Sequence, residues 1–465
     1  MTNYDMVLYK PQFIQSRRIK LKSPILHIGG EIQKLSPFEY IQTPENIYIP
    51  NQEALAKALY KRGYLQTPKP WERVKDLNSG KALDQYIQAI KNKDDRRVTE
   101  IIELALGKQW STAKSEDDKP IFPDYGIIPK SFPHRINHEI RPMIRDAFGK
   151  LYIPGSSIKG AIRTAIAYYM LKNKPTQLSD IEQKLQERLK IPQRVGNSKK
   201  TLGNELFMKD LFSNFLLTYQ NREFNPESES NRDFMRCLKV TDSQPLLKNG
   251  SMNLSCVDEV IISSYYREST SIQEKNPAKY RGSIYTEMVH NVETEFTLTL
   301  DNNSEEDIET TGMLSWFSRN DGIKIPFHNI EGAFHNIEGV LNICKIFAQE
   351  QWNHERNYWQ RIKNNLEDVK GRNINLNFDL INEFYQNSEC PFNLRLGWAS
   401  GMLGTTIGLH LNDETRRGIR DECASPKNRA PLFEAPKSRR SVMNNNGEIE
   451  FVPGWVNLEL LPNVC

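Results

Sequence analysis

The chain has 465 residues, 38% of them hydrophobic, and its 62 Lys and Arg against 58 Asp and Glu leave a formal charge of +4. This length suits two or three domains with large buried cores, and so small a charge does not by itself indicate nucleic-acid binding. The six cysteines are scattered without a C-x-x-C pair, and the eight histidines add no metal-ligand spacing. We therefore expect no zinc site and no disulfide framework. The lack of a signal peptide and of a long apolar run predicts a cytoplasmic protein without a membrane span.

Strands with Pro and Gly between them are predicted from about residue 5 to about residue 50. The next segment, about 51–110, has apolar residues at helical spacing and is expected to be a helical insertion. Residues 111–135 are loop-like, and a short apolar strand then begins at Leu151 and breaks at Pro154. Residues 173–232 are polar with few strand signals, and strands resume from about residue 235 to about residue 300.

The most informative segment is LYIPGSSIKGAIRTA, in which a helix is predicted after the Pro–Gly break. Its apolar stripe consists of Ile158, Ala161, Ile162, Ala165, Ile166 and Tyr169. The backbone N–H groups of Gly155, Ser156 and Ser157 and the positive end of the helix dipole suit a phosphate. Lys159 and Arg163 lie four residues apart on another face. The alternative is a plain helix N-cap with two solvated bases.

FHNIEGA is followed at once by FHNIEGV at residues 327–340, a direct duplication. Two His and two Glu at heptad spacing could indicate a metal site, but ligand sets rarely arise from a tandem copy. A local duplication that enters the next helix is the favoured interpretation. That long helix is predicted from Gly339 to about Leu366, and Phe347, Trp352 and Trp359 are expected in the core rather than as base-stacking platforms.

A second glycine-rich segment lies at residues 397–406. Its glycines permit close backbone approach, and its small hydroxyls could follow a phosphate chain without reading bases. The candidate ligands here are Arg395, Gly397, Ser400, Gly401, Gly404 and Thr405. An ordinary glycine turn between a strand and a helix is the alternative for this segment taken alone.

A compact basic cluster, Lys437, Arg439 and Arg440, follows Pro436. Such bases beside glycine loops would neutralise RNA phosphates and make binding salt-dependent. A solvated basic loop explains the same residues equally well.

The segment around Gly155 resembles the signature of the CRISPR-associated RAMP superfamily, whose members are RNA-binding proteins. Within it, the string is most similar to the type III-A (Csm) branch, and there to the fifth subunit, which caps the 3′ end of the guide RNA. Further matches in the same order lie at residues 21–30, 235–243, 284–287, 394–406, 436–440 and 454–456. The resemblance thus runs nearly from end to end, with long unmatched stretches between the matches.

The resemblance implies an α+β fold of two ferredoxin-like (RRM-like) modules with helical insertions. The N-terminal module would be 1–240, with the insertion at about 51–110 and the signature turn at 154–163. The C-terminal module would be 241–465, with a helical insertion at about 339–370 and the glycine loop at 397–406.

The resemblance also implies a non-catalytic RNA-binding subunit, without cofactor or metal, whose partners are the guide RNA and neighbouring Csm-type backbone subunits. It would support guide maturation through recruited host nucleases. The RNA-binding residues so implied are Gly29, Gly30, Gly155, Ser156, Ser157, Lys159, Arg163, Arg395, Gly397, Ser400, Gly401, Gly404, Thr405, Lys437, Arg439 and Arg440.

Two alternatives remain open. Some RAMP proteins cleave CRISPR transcripts with an N-terminal histidine as general acid or base, and His27 lies in the right part of the chain. No partner for it is evident nearby, so a structural histidine is favoured. The other alternative is a filament backbone subunit, but such subunits are usually shorter, and the PKSRR segment argues against one.

Overall fold

The computed structural model describes residues 14–30, 34–37, 39–61, 88–89, 92, 94–136, 138–172, 175–190, 203, 208–219, 222–247, 255–264, 278–301, 313–319, 336–362, 364, 376–423, 429–431, 433–444, 446, 448 and 449–462. The strands are β1 (Ile14–Leu26), β2 (Ile41–Gln42), β3 (Asn46–Tyr48), β4 (Ile127–Pro129), β5 (Ile140–Arg141), β6 (Phe215–Tyr219), β7 (Arg222–Phe224), β8 (Leu238–Val240), β9 (Ser255–Ser264), β10 (Lys279–Asp301), β11 (Phe317–Arg319), β12 (Leu394–Arg395), β13 (Arg439–Met443), β14 (Ile449–Phe451) and β15 (Trp455–Leu460). The helices are α1 (Gln52–Lys61), α2 (Asp95–Leu106), α3 (Gly155–Lys172), α4 (Pro175–Lys190), α5 (Lys209–Phe212), α6 (Ile337–Arg361), α7 (Asp379–Phe384), α8 (Gly401–Thr405) and α9 (Asp413–Cys423).

The main sheet has the strand order β12-β15-β1-β10-β9-β13-β14, and β5 and β8 also pair with β10. Strand β1 is antiparallel to β10 and to β15. Its side chains alternate, so that Ile19 and Leu21 are fully buried while Lys20 points outward and pairs with Glu293 at 2.6 Å. Strands from the two ends of the chain therefore form one sheet.

The core lies where α3 and α6 pack against this sheet. Ile158 and Ile162 of α3 join Leu21 of β1 and Phe347 of α6 in the largest hydrophobic cluster. A second cluster is aromatic and contains Trp352, Trp359, Phe378, Tyr385 and Trp455. Trp352 and Trp359 are completely buried, which confirms the prediction that they belong to the core.

Helix α6 begins within the second copy of the duplicated heptapeptide. The side chain of Asn336 caps the helix by accepting a hydrogen bond from the Gly339 N–H at 2.7 Å. The prediction that the duplication enters this helix is thus confirmed for the second copy. The first copy and His335 lie outside the described residues, among which no group of three potential metal ligands is found.

The segment 173–232, predicted to be polar and poor in strands, contains more regular structure than expected. Helix α4 occupies residues 175–190, and β6 and β7 pair with each other beside β11. Only a few apolar residues anchor α4, with Ile181 and Leu185 in the main core, so its helical periodicity is diluted by polar residues. The predicted loop at 197–200 lies outside the described residues.

Helices α1 and α2 confirm the helical character of residues 51–110 at both ends of that segment. The α+β class is confirmed as well. The division into two ferredoxin-like modules near residue 240 stays a prediction. No helix in the described ranges combines the length and the apolar character needed to cross a membrane.

Candidate nucleic-acid interface

In the signature turn, a carboxylate side chain of the protein itself lies at the N-terminus of α3. The Gly155 N–H donates to Asp242 Oδ1 at 2.7 Å, and a carboxylate at this end of α3 is favoured by the helix dipole. Ser156 is exposed, Ser157 is half-buried, and the Ser157 N–H donates to the Pro154 carbonyl at 2.9 Å. The outer face of the turn therefore offers Ser156 and Ser157 to a ligand, whereas the inner face is bonded within the fold.

Gly155 is required by packing. A Cβ at this position would collide with the Val240 carbonyl oxygen and lie 2.7 Å from the Thr241 carbonyl carbon. Both neighbours are backbone atoms at the end of β8, so they cannot move aside as a flexible side chain could. The glycine lets α3 start directly against the strand.

Gly155→Ala should destabilise the protein by about 1–3 kcal/mol, because the added methyl group overpacks a rigid backbone joint. Gly160→Ala in the same helix is the matched control. It meets nothing within 4 Å and should stabilise by up to about 1 kcal/mol, since alanine favours helix over glycine. Thermal unfolding of the two variants measures the difference. Equal melting temperatures would contradict the packing role of Gly155.

The two predicted bases of α3 have partners within the fold. Arg163 forms an ion pair with Asp233, and its guanidinium lies over the Phe212 ring at 3.9 Å from the centroid. Burial lowers the pKa of Lys159, and the Asp233 charge opposes that effect. Arg163 was expected to be available for RNA, but its charge is neutralised by Asp233. Lys159 is half-buried and remains a candidate ligand.

The N-terminal glycine turn and the second glycine segment meet in space. The Trp398 N–H donates to the His27 carbonyl at 3.1 Å, and the Ile144 N–H donates to the Ile28 carbonyl at 2.9 Å. Gly397 has a φ of 87° and lies so close to His27 that a Cβ would collide with its carbonyl oxygen. The structure therefore brings together two segments that are far apart in the chain.

Beside this contact Gly29 is exposed and Gly30 is half-buried. Helix α3 contacts α8, so the signature helix also neighbours the second glycine segment.

The second glycine segment has an exposed and a buried side. Gly401 combines a φ of 65° with a ψ of −172°, a conformation that is nearly restricted to glycine. Gly401 and Thr405 are exposed, whereas Ser400 and Gly404 are buried. Ser400 was expected to contact RNA, but its side chain faces the interior, so the exposed edge offers only Gly401 and Thr405 of these four.

Arg395 and Arg439, which were predicted RNA ligands, belong to a buried ion-pair network around Glu355. Glu355 Oε1 accepts from Arg439 Nε at 2.8 Å, and Arg395 Nη1 lies 3.9 Å from Glu355 Oε2. The three side chains are at most 5% exposed. Burial alone would raise the pKa of the Glu355 carboxyl, but Arg439 and then Arg395 outweigh it, and the pKa lies below its ordinary value. These arginines are therefore not placed to touch RNA.

The buried Glu355 network fixes the position of the second glycine segment and of the start of β13. Arg395 Nη2 donates to the Ala399 carbonyl of the glycine segment at 3.3 Å. Arg439 starts β13, and the next residue, Arg440, donates to the Trp398 carbonyl at 2.7 Å. Glu355 thus holds two loops through two arginines.

Sequence reasoning missed Glu355. A signal was present, because Phe347, Gln351, Glu355 and Trp359 are spaced four apart on one row of the predicted helix. A Gln and a Glu interrupt a row that is otherwise aromatic, which is the pattern of a buried polar contact.

Glu355→Gln should destabilise the protein by about 3–5 kcal/mol, because it removes the buried carboxylate that pairs with two buried guanidinium groups. Glu139→Gln is the matched control at an exposed ion pair with Lys34 and should cost at most about 1 kcal/mol. The midpoint of chemical unfolding compares them. A Glu355 variant as stable as the Glu139 variant would show that the network does not organise the fold.

The three basic residues of the PKSRR segment differ in burial and in what they contact. Arg439 is buried, Lys437 is half-buried with its Nζ 5.5 Å from the Phe433 ring centroid, and Arg440 lies over the Trp398 ring at 3.9 Å. Lys437 and Arg440 stay candidate ligands.

His27 is 3% exposed, and its Nδ1 lies 2.7 Å from the Glu287 carbonyl, to which it donates. Burial lowers the pKa of His27 to about 4, and the nearby charges of Arg141 and Arg440 act in the same direction. The ring is therefore neutral at pH 7. It packs edge-on against Trp398, with 5.8 Å between the ring centroids.

The low pKa of His27 predicts an acid-sensitive fold. The unfolded chain takes up this proton near the ordinary histidine value of about 6.5, whereas the folded chain takes it up only near pH 4. Stability should consequently fall as the pH drops from about 6.5 to about 4, by about 3 kcal/mol from His27. His27→Gln should remove this part of the loss. Unfolding measured at several pH values tests it, and an unchanged pH profile in the variant would refute the assignment.

The family model of the RAMP superfamily matches residues 18–326. The chain therefore belongs to the RAMP superfamily. No curated protein matches it.

Two solved structures are similar over their whole length. A chain of the cryo-EM structure of a Csm–crRNA–target RNA ternary complex, from a type III-A CRISPR-Cas system, is 21% identical with a TM-score of 0.52, covering 96% of this chain and 100% of that chain. The crystal structure of T. onnurineus Csm5 is 19% identical with a TM-score of 0.48, covering 95% and 100%. The first of these likenesses shows the fold.

Proposed function

We propose that this protein is the guide-RNA-binding subunit that caps the 3′ end of the guide in a type III-A-like CRISPR effector. The observation that carries the proposal is the likeness over 96% of the chain to a component of a Csm–crRNA–target RNA complex. Membership of the RAMP superfamily supports it. The partners are then the guide RNA, the neighbouring Csm-type backbone subunits and recruited host nucleases, and the protein acts in the cytoplasm.

The geometry favours contact with the RNA backbone over reading of bases. The exposed groups of the interface are glycines and small hydroxyl residues, among them Gly29, Ser156, Gly401 and Thr405. Backbone N–H groups and hydroxyls of this kind bind phosphate without sequence preference. Lys437 and Lys159 lie at half-buried positions where they could add charge. Such a surface suits a guide whose sequence varies from one complex to the next.

The subunit is proposed to bind RNA without cleaving it. A general acid or base works best with a pKa near the working pH. His27 is instead buried and hydrogen-bonded to a carbonyl, and its pKa is lowered to about 4. Incubation of the purified protein with repeat RNA, with and without divalent metal, should give no product. Specific cleavage that is lost in His27→Gln would replace this proposal by the ribonuclease alternative.

Native mass spectrometry of the assembled complex tests the capping role. We expect one copy of this subunit per complex, because a cap must end a heterologous array rather than extend it. Gly401→Val should cost about 1–3 kcal/mol locally, since valine cannot adopt the φ of 65°, and should reshape the exposed edge. The complex should then lose this subunit or carry guides with altered 3′ ends.

Gly160→Ala, on an exposed helical position, is the matched control and should leave assembly and guide length unchanged. Several copies of the subunit per complex would exclude a cap. So would unchanged guides in a complex that retains the Gly401→Val subunit.

A further inference from the structure

Two arginines from distant parts of the chain share one indole ring. The guanidinium carbon of Arg440 lies 3.9 Å from the Trp398 ring centroid, and that of Arg141 lies 5.1 Å from it. Arg440 is further fixed by the hydrogen bond from its Nη1 to the Trp398 carbonyl at 2.7 Å. All three residues are half-buried and can be reached from solvent. The indole thus acts as a rigid support for two planar cations.

This pair of cations has no counter-charge in the described part of the chain. By contrast, two arginines close to them in the chain each pair with a carboxylate: Arg145 with Glu287 at 2.6 Å, and Arg439 with Glu355. Neither Arg141 nor Arg440 forms an ion pair with any described carboxylate, and no described side chain or carbonyl accepts a hydrogen bond from the Arg141 guanidinium. Two like charges held beside the same ring repel each other.

The protonation of Arg440 reflects this surplus of positive charge. Burial and, to a smaller extent, the charge of Arg141 together lower its pKa to about 10. His27 beside the ring is neutral at pH 7 and supplies no charge of either sign. An anion between the guanidinium groups would remove the repulsion.

The arginines stand at the glycine turn of residues 29–30. Arg141 ends β5, two residues before Met143, which forms a bridge with Gly29. On the other side, Trp398 is bonded through its N–H to the His27 carbonyl. Gly29 is exposed, so a chain of phosphates could approach closely here.

We infer that Arg141 and Arg440, held by Trp398, form a clamp for one phosphodiester group of single-stranded RNA. Guanidinium groups suit this ligand because their planar N–H forks match phosphate oxygens. The identity of the ligand as RNA rests on the proposed function, whereas the anion site rests on the two unpaired charges alone. Trp398 supports the guanidinium groups in this arrangement and is not a platform for a base.

Arg141→Gln and Arg440→Gln test the clamp in the full-length protein, with single-stranded poly-U RNA as the probe. Each variant should lose about tenfold in affinity, and its plot of log affinity against log salt should become shallower by about 0.7. Arg18→Gln is the matched control, because it removes one positive charge that Glu295 already neutralises. It should change neither quantity appreciably.

Inorganic phosphate gives a second measurement that does not need RNA. At constant ionic strength, phosphate in place of chloride should raise the melting temperature of the wild type and of Arg18→Gln by more than that of the clamp variants, which should show only the general stabilisation that phosphate gives to folded proteins. Arg141→Gln is the more informative variant, since the Arg141 side chain makes no described hydrogen bond whose loss could unfold the protein.

The outcomes separate the two proposals. If the wild type binds no RNA but phosphate stabilises it through Arg141 and Arg440, the anion site stands and the RNA function falls. If the wild type binds RNA and the clamp variants behave like Arg18→Gln in both measurements, the clamp is wrong and the RNA function stands.

Discussion

The antiparallel pairing of β1 with β10 is the constraint on which the rest of the structure depends. It runs from the pair Ile14–Asp301 to the pair Leu26–Val289 and places β1 in the centre of the sheet, where its other edge pairs with β15 from the C-terminal end of the chain. A slip of one residue would turn the buried Ile19 and Leu21 outward and bring charged side chains into the core. Since β1 leads directly into His27 and the first glycine turn, its register also sets where that turn meets Trp398.

Below this surface, buried charge connects the long helix to the loops. Glu355 reaches the glycine segment through Arg395 and β13 through Arg439. A buried ion pair seldom adds much net stability over a well-packed apolar contact, because desolvation offsets the attraction. Its contribution is geometric, because the fixed directions of its donors and acceptors allow only one arrangement of the loops, whereas an apolar contact would allow several. For a surface made mainly of backbone groups, that precision matters more than additional free energy.

Periodic patterns predicted the elements that have a strong apolar face. The strands near the N-terminus, the apolar stripe of α3 and the core aromatics of α6 were predicted from the sequence, and so was the α+β class. Helix α4 and the strands β6 and β7 were missed, because their apolar residues are few and tertiary contacts stabilise them. Contacts between residues far apart in the chain cannot be predicted from a local sequence pattern.

The candidate site was harder to predict than the fold, since a charged residue type does not show where its side chain lies. Arg395 and Arg439 have the same chemistry as Arg440. What distinguishes the buried pair from the half-buried Arg440 is the carboxylate of Glu355, which lies 40 and 84 positions away in the chain. Arg141 gave no signal, because it stands in a strand of two residues with no pattern around it. The glycine segments were the better guide, since glycine marks backbone contacts that hold whichever side chains lie nearby.

The joint at Gly155 has a consequence for how such proteins are recognised. Its glycine is required by the backbone of β8, and the first N–H of its helix is bonded to Asp242. The signature segment around Gly155 is therefore required for joining a strand, a turn and a helix, largely independently of any ligand. A protein that had lost its RNA could keep this string intact for the sake of folding. Whether a chain with this string binds a phosphate would then depend on the less regular positions around Trp398, such as Arg141 and Arg440, which a search for the signature does not examine.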